Sequence, residues 1–303
     1  LFHLATAKPV DPQRIRAMPD VLAHRGPDGA GVWIAPGVGL GHRRLAIIDL
    51  ATGEQPMHSA DGALNVVFNG EIYNFRALRS ELETFGCVFR TNSDTEVILH
   101  AWRKWGPDCV SHFNGMFAFA LYDQDRRCLF LARDRLGVKP LFYTELGDGC
   151  VLFASELKGL LAHPLVRRSP DPTAVEDFMA YGYVPDDTSI IAGVRKLPAG
   201  HHLTLRLGAS LPEPVRYWDV SFADRTDAGE QELEEQLVAL MQEVVRSRMI
   251  ADVPLGAFLS GGVDSSSVVA LMAEASNSAI ATCSIGFDQS DHDETRYAGL
   301  VAE

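Results

Sequence analysis

The sequence predicts an α+β part built on antiparallel strands, residues 1–207, followed by an α/β part with a parallel sheet, residues 230–303. Three observations carry that expectation. Glycine-punctuated apolar runs fill the chain to about residue 207 with few helical stretches among them. Residues 208–229, "GASLPEPVRYWDVSFADRTDAG", are rich in Pro, Gly and Asp and read as a linker. Beyond them strand and helix alternate strictly, and a length of 303 residues suits two domains.

The elements follow in order. Asp11 as N-cap and Pro12 at the first helical position predict a helix over 11–22. "GAGVWIA", "GLGHRRLAIIDL" and "LNVVFNGEIYN" read as strands. "NFRALRSELETFG" places Phe75, Leu78, Leu82 and Phe85 at helical spacing and ends on Gly86. In "SDTEVILHAWRKWGP", Ser93 and Glu96 form a capping-box pattern that opens a second helix. "GMFAFALYD" and "CLFLARD", joined by a charged turn, predict a hairpin, and further strands are expected at 141–144, 150–154 and 202–207. After the linker come a helix over 230–250, a short strand ending in Leu259 with a glycine turn, a helix, the strand "AIATCSIGF" and the start of a last helix.

Composition narrows the function classes. With 27 basic and 40 acidic residues the net charge is −13, so no basic stripe invites nucleic acid. No apolar window reaches the ~18 residues that a membrane helix needs. The first residues resemble no signal peptide, and five scattered cysteines without a C-x-x-C pair argue against a disulfide framework or a zinc site. The expected compartment is the cytoplasm, with each cysteine a small buried hydrophobe.

"FLSGGVDSSSV", 258–268, has the form of a phosphate loop without its lysine. A strand, a glycine turn and a helix aim main-chain N–H groups at an anion. Gly261 and Gly262 permit close approach, and Ser260, Ser265 and Ser266 supply hydroxyls. Asp264 suits a magnesium ion bridging phosphates. The stretch resembles the pyrophosphate loop of the N-type ATP pyrophosphatases. That resemblance implies ATP as cofactor with Mg2+, cleavage between the α and β phosphates, and an ATP site at Leu259, Ser260, Gly261, Gly262, Asp264, Ser265, Ser266 and Ile285, the last near the adenine. "DETRYA", 293–298, matches the helix start that follows in the family.

Three polar stretches stand out in the first part: "HRGPDGAGVW" (24–33), "NGEIYN" (69–74) and "NSDTE" (92–96). With "GHRRLAIIDL" and "GMFAFALYD" they resemble the class-II glutamine amidotransferases. These are N-terminal-nucleophile hydrolases, an αββα sandwich of two antiparallel sheets between helical layers. In this order with the loop, the pair resembles the glutamine-hydrolysing asparagine synthetases. The chemistry fits free glutamine. Arg44 can hold the α-carboxylate, with Leu45, Ala46, Ile47 and Ile48 lining the same molecule as a continuing strand. Glu71 and Asp94 can pair with the α-ammonium, and Asn69 and Gly70 can form an oxyanion hole. Arg43 is the rival to Arg44, and strand alternation puts the two on opposite faces.

The family's nucleophile is an N-terminal cysteine, and no cysteine stands near Leu1. The expectation is therefore of a chain cut at both ends, inactive as a glutaminase by itself, with the aspartate-recognising part outside it. The resemblance implies glutamine, ATP and aspartate as partners and is compatible with a homodimer. Alternatives are a sibling amidotransferase acting on another carboxylate in cell-surface polysaccharide synthesis, a β-lactam-forming synthetase, and a non-catalytic glutamine- or ATP-sensing module. Convergence of Arg44, Asn69, Gly70, Glu71 and Asp94 on one pocket near Leu1 would separate the functional reading from a coincidence of turns and caps.

Overall fold

In the first unit two six-stranded sheets face each other. The computed structural model describes every residue except 186, 224 and 290–292 and divides into Leu1–Val220 and Ser221–Glu303. The strands of the first unit are β1 (Phe2–His3), β2 (Gly29–Ala35), β3 (Val38–Arg44), β4 (Met57–His58), β5 (Leu64–Ile72) and β6 (Gly115–Asp123). They continue with β7 (Cys128–Arg133), β8 (Phe142–Glu145), β9 (Cys150–Ala154), β10 (Arg195–Lys196), β11 (His201–Arg206) and β12 (Val215–Arg216). One sheet runs β10-β8-β9-β1-β3-β2 and the other β12-β11-β7-β6-β5-β4, all pairs antiparallel.

Period-two alternation explains the layers. Phe2, Val38, Leu40, Tyr143 and Val151 of one sheet meet Val67, Ala118, Ala120, Leu129 and Leu131 of the other in a core between the sheets. The helices among the described residues of this unit are α1 (Pro12–Asp20), α2 (Phe75–Thr84), α3 (Asp94–Trp105), α4 (Cys109–His112), α5 (Leu157–Leu161) and α6 (Pro172–Tyr181). Ile15 and Met18 of α1 and Leu160 of α5 cover the outer face of the first sheet. Helix α3 covers the second, with Trp102 against Phe130 and its indole N–H donating to Asp123 at 2.8 Å. The order is helix, sheet, sheet, helix, as the resemblance implies.

Four local expectations are corrected. Phe85 lies past the end of α2, 51% exposed, with the Lys104 ammonium 3.5 Å above its ring. The capping box closes halfway: Ser93 accepts the Thr95 N–H, but buried Glu96 turns to the Arg90 and Thr91 N–H groups and the Thr91 hydroxyl. Those upstream donors offer Glu96 three hydrogen bonds where the cap offers one. The expected linker also begins too early. Its residues 215–216 form β12 on β11, and the Tyr217 hydroxyl donates to the Arg133 carbonyl. Cys109, Cys128 and Cys150 are buried, yet Cys87 is half-buried and Cys283 exposed, and all are free thiols.

The second unit comprises α7 (Glu230–Arg248), β13 (Gly256–Phe258), α8 (Val263–Ala275), β14 (Ala281–Cys283) and α9 (Thr295–Ala302). β13 and β14 pair in parallel, as a strand–helix–strand crossover requires. The strand ends one residue before the expected Leu259, whose buried side chain joins Val269 and Ala298 in a small core. Phe258, Val263, Ile285 and Phe287 stay largely exposed, so this apolar unit is thinly covered.

Candidate active site

The alternation that builds the sandwich core also aims the polar residues. Along β3, Val38 and Leu40 point between the sheets, so His42 and Arg44 share that face. The other face is narrow: a Cβ at Gly39 would lie 2.7 Å from Ile15 and one at Gly41 3.0 Å from Pro19, both in α1. Arg43 falls on this second face and donates to Asp20 of α1 at 2.5 Å. Both arginines line the cavity described next, but only Arg44 shares the inward face of Val38 and Leu40. Along β5, inward Val67 puts Asn69 and Glu71 on the face that looks back at β3. A cavity of about 320 Å³ opens at this end, lined by Arg44, Asn69, Gly70, Glu71, Asp94 and Leu1. The residues named from sequence for this site do converge, and Leu1 is beside them, exchanging two main-chain hydrogen bonds with Gly39.

Ladder geometry fixes where the Gly70 N–H points. Antiparallel residues alternate between facing their partner strand and facing away. Opposite Gly70 lies Phe117, whose N–H and C=O are both taken by Asp134 on its other side, so Gly70 faces away from β6. Two residues to either side, the same edge presents the Phe68 N–H, which donates to Gln55 Oε1 at 2.6 Å, and the Ile72 N–H, which donates to Asp94 Oδ2 at 3.0 Å. Among the described residues no hydrogen bond takes the middle donor of the row. Glycine is required there, since a Cβ would sit 2.1 Å from the Met116 carbonyl oxygen. The Asn69 carboxamide N–H reaches Ser155 Oγ at 3.5 Å, close to the limit of a hydrogen bond.

The electrostatics favour a zwitterion. Burial pushes the Asp94 carboxyl up to about 6, against the Ile72 N–H that lowers it, and the neighbouring Glu71 raises it further. Two carboxylates competing for one low-dielectric place favour an ammonium between them. Burial, with Arg44 beside it, pushes His42 down to about 4, so the ring is neutral and adds no charge at neutral pH. Arg44 spends Nη2 on the carbonyls of Ile48 and Asp49 and one Nη1 hydrogen on Leu50. With Nη2 occupied, the Nε–H and the second Nη1 hydrogen point to different sides of the guanidinium, so a carboxylate can meet Arg44 through its charge and a single hydrogen bond.

Leu45–Ile48 is not the continuing strand that was expected. β3 stops at Arg44, opposite Gly29, because the partner chain beyond Asp28 is Pro27, which has no N–H to give. The Ala46 N–H turns to the Asp28 carboxylate at 2.9 Å instead. Leu45, Ile47 and Ile48 line the cavity, whereas Ala46 does not. His42, Gln55, Lys139 and Ser155 line it as well and went unread in the sequence. The alternation from Leu40 could have revealed His42; nothing local marks Gln55, which arrives through a loop packed on Gly31. No cysteine lines the cavity among the described residues.

Residues 3–218 match the family model described as a glutamine amidotransferase domain. The chain belongs to that family. The match takes in both sheets except Phe2 and the cavity lining except Leu1, and residues 236–303 match a second model, described as asparagine synthase. Among curated relatives, asparagine synthetase [glutamine-hydrolyzing] 3 of Bacillus subtilis is 39% identical over 92% of this chain and 46% of its own length. Putative asparagine synthetase [glutamine-hydrolyzing] 2 of Methanocaldococcus jannaschii is 39% identical over 98% of the chain and 61% of its own. Amidase chry2 of Gibberella zeae is 38% identical over 84% and 38%. The chain thus spans about half the length of these relatives.

Two solved structures share the fold. The glutamine phosphoribosylpyrophosphate amidotransferase of B. subtilis, complexed with ADP and GMP, aligns with a TM-score of 0.50 at 19% identity, over 92% of this chain and 64% of that one. An allosteric regulatory enzyme of purine biosynthesis gives 0.51 at 20%, over 92% and 63%. The amidotransferase domain shares with them the fold of two antiparallel sheets between helices.

In the second unit the expected loop residues gather at the start of α8. Gly261 takes φ +83°, and a Cβ there would lie 2.5 Å from Tyr297 Cβ and 2.6 Å from the Ala298 nitrogen, so α9 closes onto the turn. Ser260 and Ser265 hydroxyls meet at 3.0 Å, and Ser266 Oγ is buried without a partner. Gly262 is the N-cap and offers no side chain to the first N–H groups of α8, which stay available to an anion. Asp264 stands in that first turn, and Ile285 is exposed after β14. No group of three His, Cys, Asp or Glu capable of holding a metal occurs among the described residues.

Proposed function

We propose that the protein is a glutamine-dependent asparagine synthetase, a ligase that takes ammonia from glutamine in the first unit and spends ATP to activate aspartate as β-aspartyl-AMP. The observation that carries the first half is the meeting of Arg44, Glu71 and Asp94 around a Gly70 N–H with no strand partner. Arg44 holds the α-carboxylate, Glu71 and Asp94 the α-ammonium, and the side-chain amide then lies toward Asn69 and Gly70. Charge developing on the amide oxygen is stabilised by the Gly70 N–H and the Asn69 carboxamide. The reading requires a thiol nucleophile at the Leu1 end of the cavity.

For the second half, the uncapped N–H groups of α8 with the Ser260, Ser265 and Ser266 hydroxyls suit a pyrophosphate leaving group. One carboxylate, Asp264, fits Mg2+ shared with phosphates and water, since that ion seldom takes an all-protein cage. The match to asparagine synthetases over most of the chain favours aspartate as acceptor. The likeness to an amidase supports a second reading, an amidotransferase with another carboxylate acceptor. A cytoplasmic setting suits these small-molecule partners, and no helix among the described residues is long and apolar enough to cross a membrane. Phosphorus NMR of the full gene product with glutamine, aspartate and ATP tests the proposal. AMP, pyrophosphate and asparagine are expected; ADP and phosphate would refute it, and turnover only with another carboxylate would favour the second reading.

A further inference from the structure

The two charge-recognising ends of the cavity come from opposite layers of the sandwich. Arg44 leaves the end of β3, while Asp94 opens α3 on the far sheet. A free amino acid carries its carboxylate and ammonium on one carbon, so their counter-charges must keep a fixed spacing. Asp49 spans the two. Its carbonyl accepts from Arg44 Nη2 at 2.6 Å and from the Gly53 N–H at 3.1 Å. Its carboxylate accepts from the Thr52 N–H at 2.9 Å, the Thr52 hydroxyl at 2.5 Å and, 43 residues onward, the Asn92 N–H at 2.8 Å. Asn92 lies two residues before Asp94.

Other features show that the turn is built for this bridge. Asp49 is 7% exposed and takes φ +53°, a left-handed conformation that Asp tolerates through such local side-chain bonds. Gly53 makes room for the Arg44 guanidinium: a Cβ there would clash with Nη2 and with the Asp49 carbonyl oxygen. Although burial opposes it, hydrogen bonds from Thr52 and Asn92 hold the Asp49 carboxyl below its ordinary range, so it is an anion across the neutral region.

We propose that Asp49 is a positioning residue that sets the distance between the carboxylate clamp at Arg44 and the ammonium site at Asp94. This rests on the reading of the cavity as a glutamine site. Calorimetric titration of L-glutamine into wild type, Asp49→Ala, Asp49→Asn and Thr52→Ala tests it, with circular dichroism as the check on folding. Asp49→Ala should weaken binding about tenfold to a hundredfold. Asp49→Asn, which keeps one acceptor and tolerates the left-handed backbone, should fall between it and wild type. Thr52→Ala removes the hydroxyl donor to Asp49, keeps the main-chain one, and should cost a few-fold, which keeps the idea testable if Asp49→Ala fails to fold. A purely structural role would not reproduce one further result: in an Arg44→Ala background the Asp49→Ala loss should shrink to about twofold or less. In the full gene product the glutaminase defect should sit in KM with kcat nearly unchanged. Wild-type affinity in Asp49→Ala, or an equal loss with and without Arg44, would overturn the positioning role. Absence of glutamine binding by wild type would instead overturn the glutamine reading, and this inference with it.

Discussion

The cavity of the first unit and the serine–glycine loop of the second hold their polar groups in opposite ways. In the cavity Asp94 is held by Ile72, Arg44 by three carbonyls, and the neighbouring N–H groups by Gln55 and Asp94. The loop is held mainly by its own serines and by α9, on a unit whose buried apolar core is Leu259, Val269 and Ala298. A small ligand with two fixed charges benefits from a rigid, buried frame. A polyphosphate needs a ring of N–H donors at a helix end, which a thinly packed unit can present.

The largest expected effects come from exchanging the two glycines on which these sites turn. Gly70→Ala drives a Cβ into the Met116 carbonyl and should lower glutamine hydrolysis by about a hundredfold or more, while ATP cleavage with free ammonia persists. Gly261→Ala, with positive φ and α9 against it, should do the reverse, costing about tenfold or more in AMP formation while glutamine still binds. Paired assays of glutamate and AMP release decide this. Loss of both activities in either variant would break the comparison.

Asp94→Asn should separate stability from recognition. The folded carboxyl titrates near 6, above its ordinary value, so folding favours its protonated form. That advantage is complete below about pH 4 and is lost as pH rises through 6. The isosteric amide keeps an acceptor for the Ile72 N–H without the buried charge. It should therefore be more stable than wild type by about 2 kcal/mol at pH 7 and no more stable near pH 4, as read from denaturant midpoints. Glutamine binding should be lost in the variant and should weaken in wild type as pH falls below about 6. Equal stability of the two proteins at pH 7 would show that Asp94 is not strained by burial.

Amide hydrogen exchange should show a smaller graded difference. Protection should be highest in β5, β6 and β7 and markedly lower in β13, β14 and the turn at 260–262. Proteolysis should cut first between 221 and 229, where the described residues form no helix or strand, and leave the amidotransferase domain whole.

Much of the site was legible because polar residues interrupt strong patterns. "NGEIYN" breaks an apolar strand, and alternation alone separates Arg44 from Arg43. What escaped reading depends on contacts distant in sequence. The end of β3 is decided by Pro27 on its partner, the route of Glu96 by donors upstream of its helix, and the place of Gln55 by the space at Gly31. Likewise, Val215 and Arg216 look like linker until β11 is there to pair with them.

The most direct test of the account is a crystal structure of this chain soaked with L-glutamine. The account predicts the α-carboxylate against the Arg44 guanidinium, the α-ammonium between Glu71 and Asp94, and the side-chain carbonyl oxygen on the Gly70 N–H. Glutamine bound in the reverse orientation, or outside the cavity altogether, would contradict it.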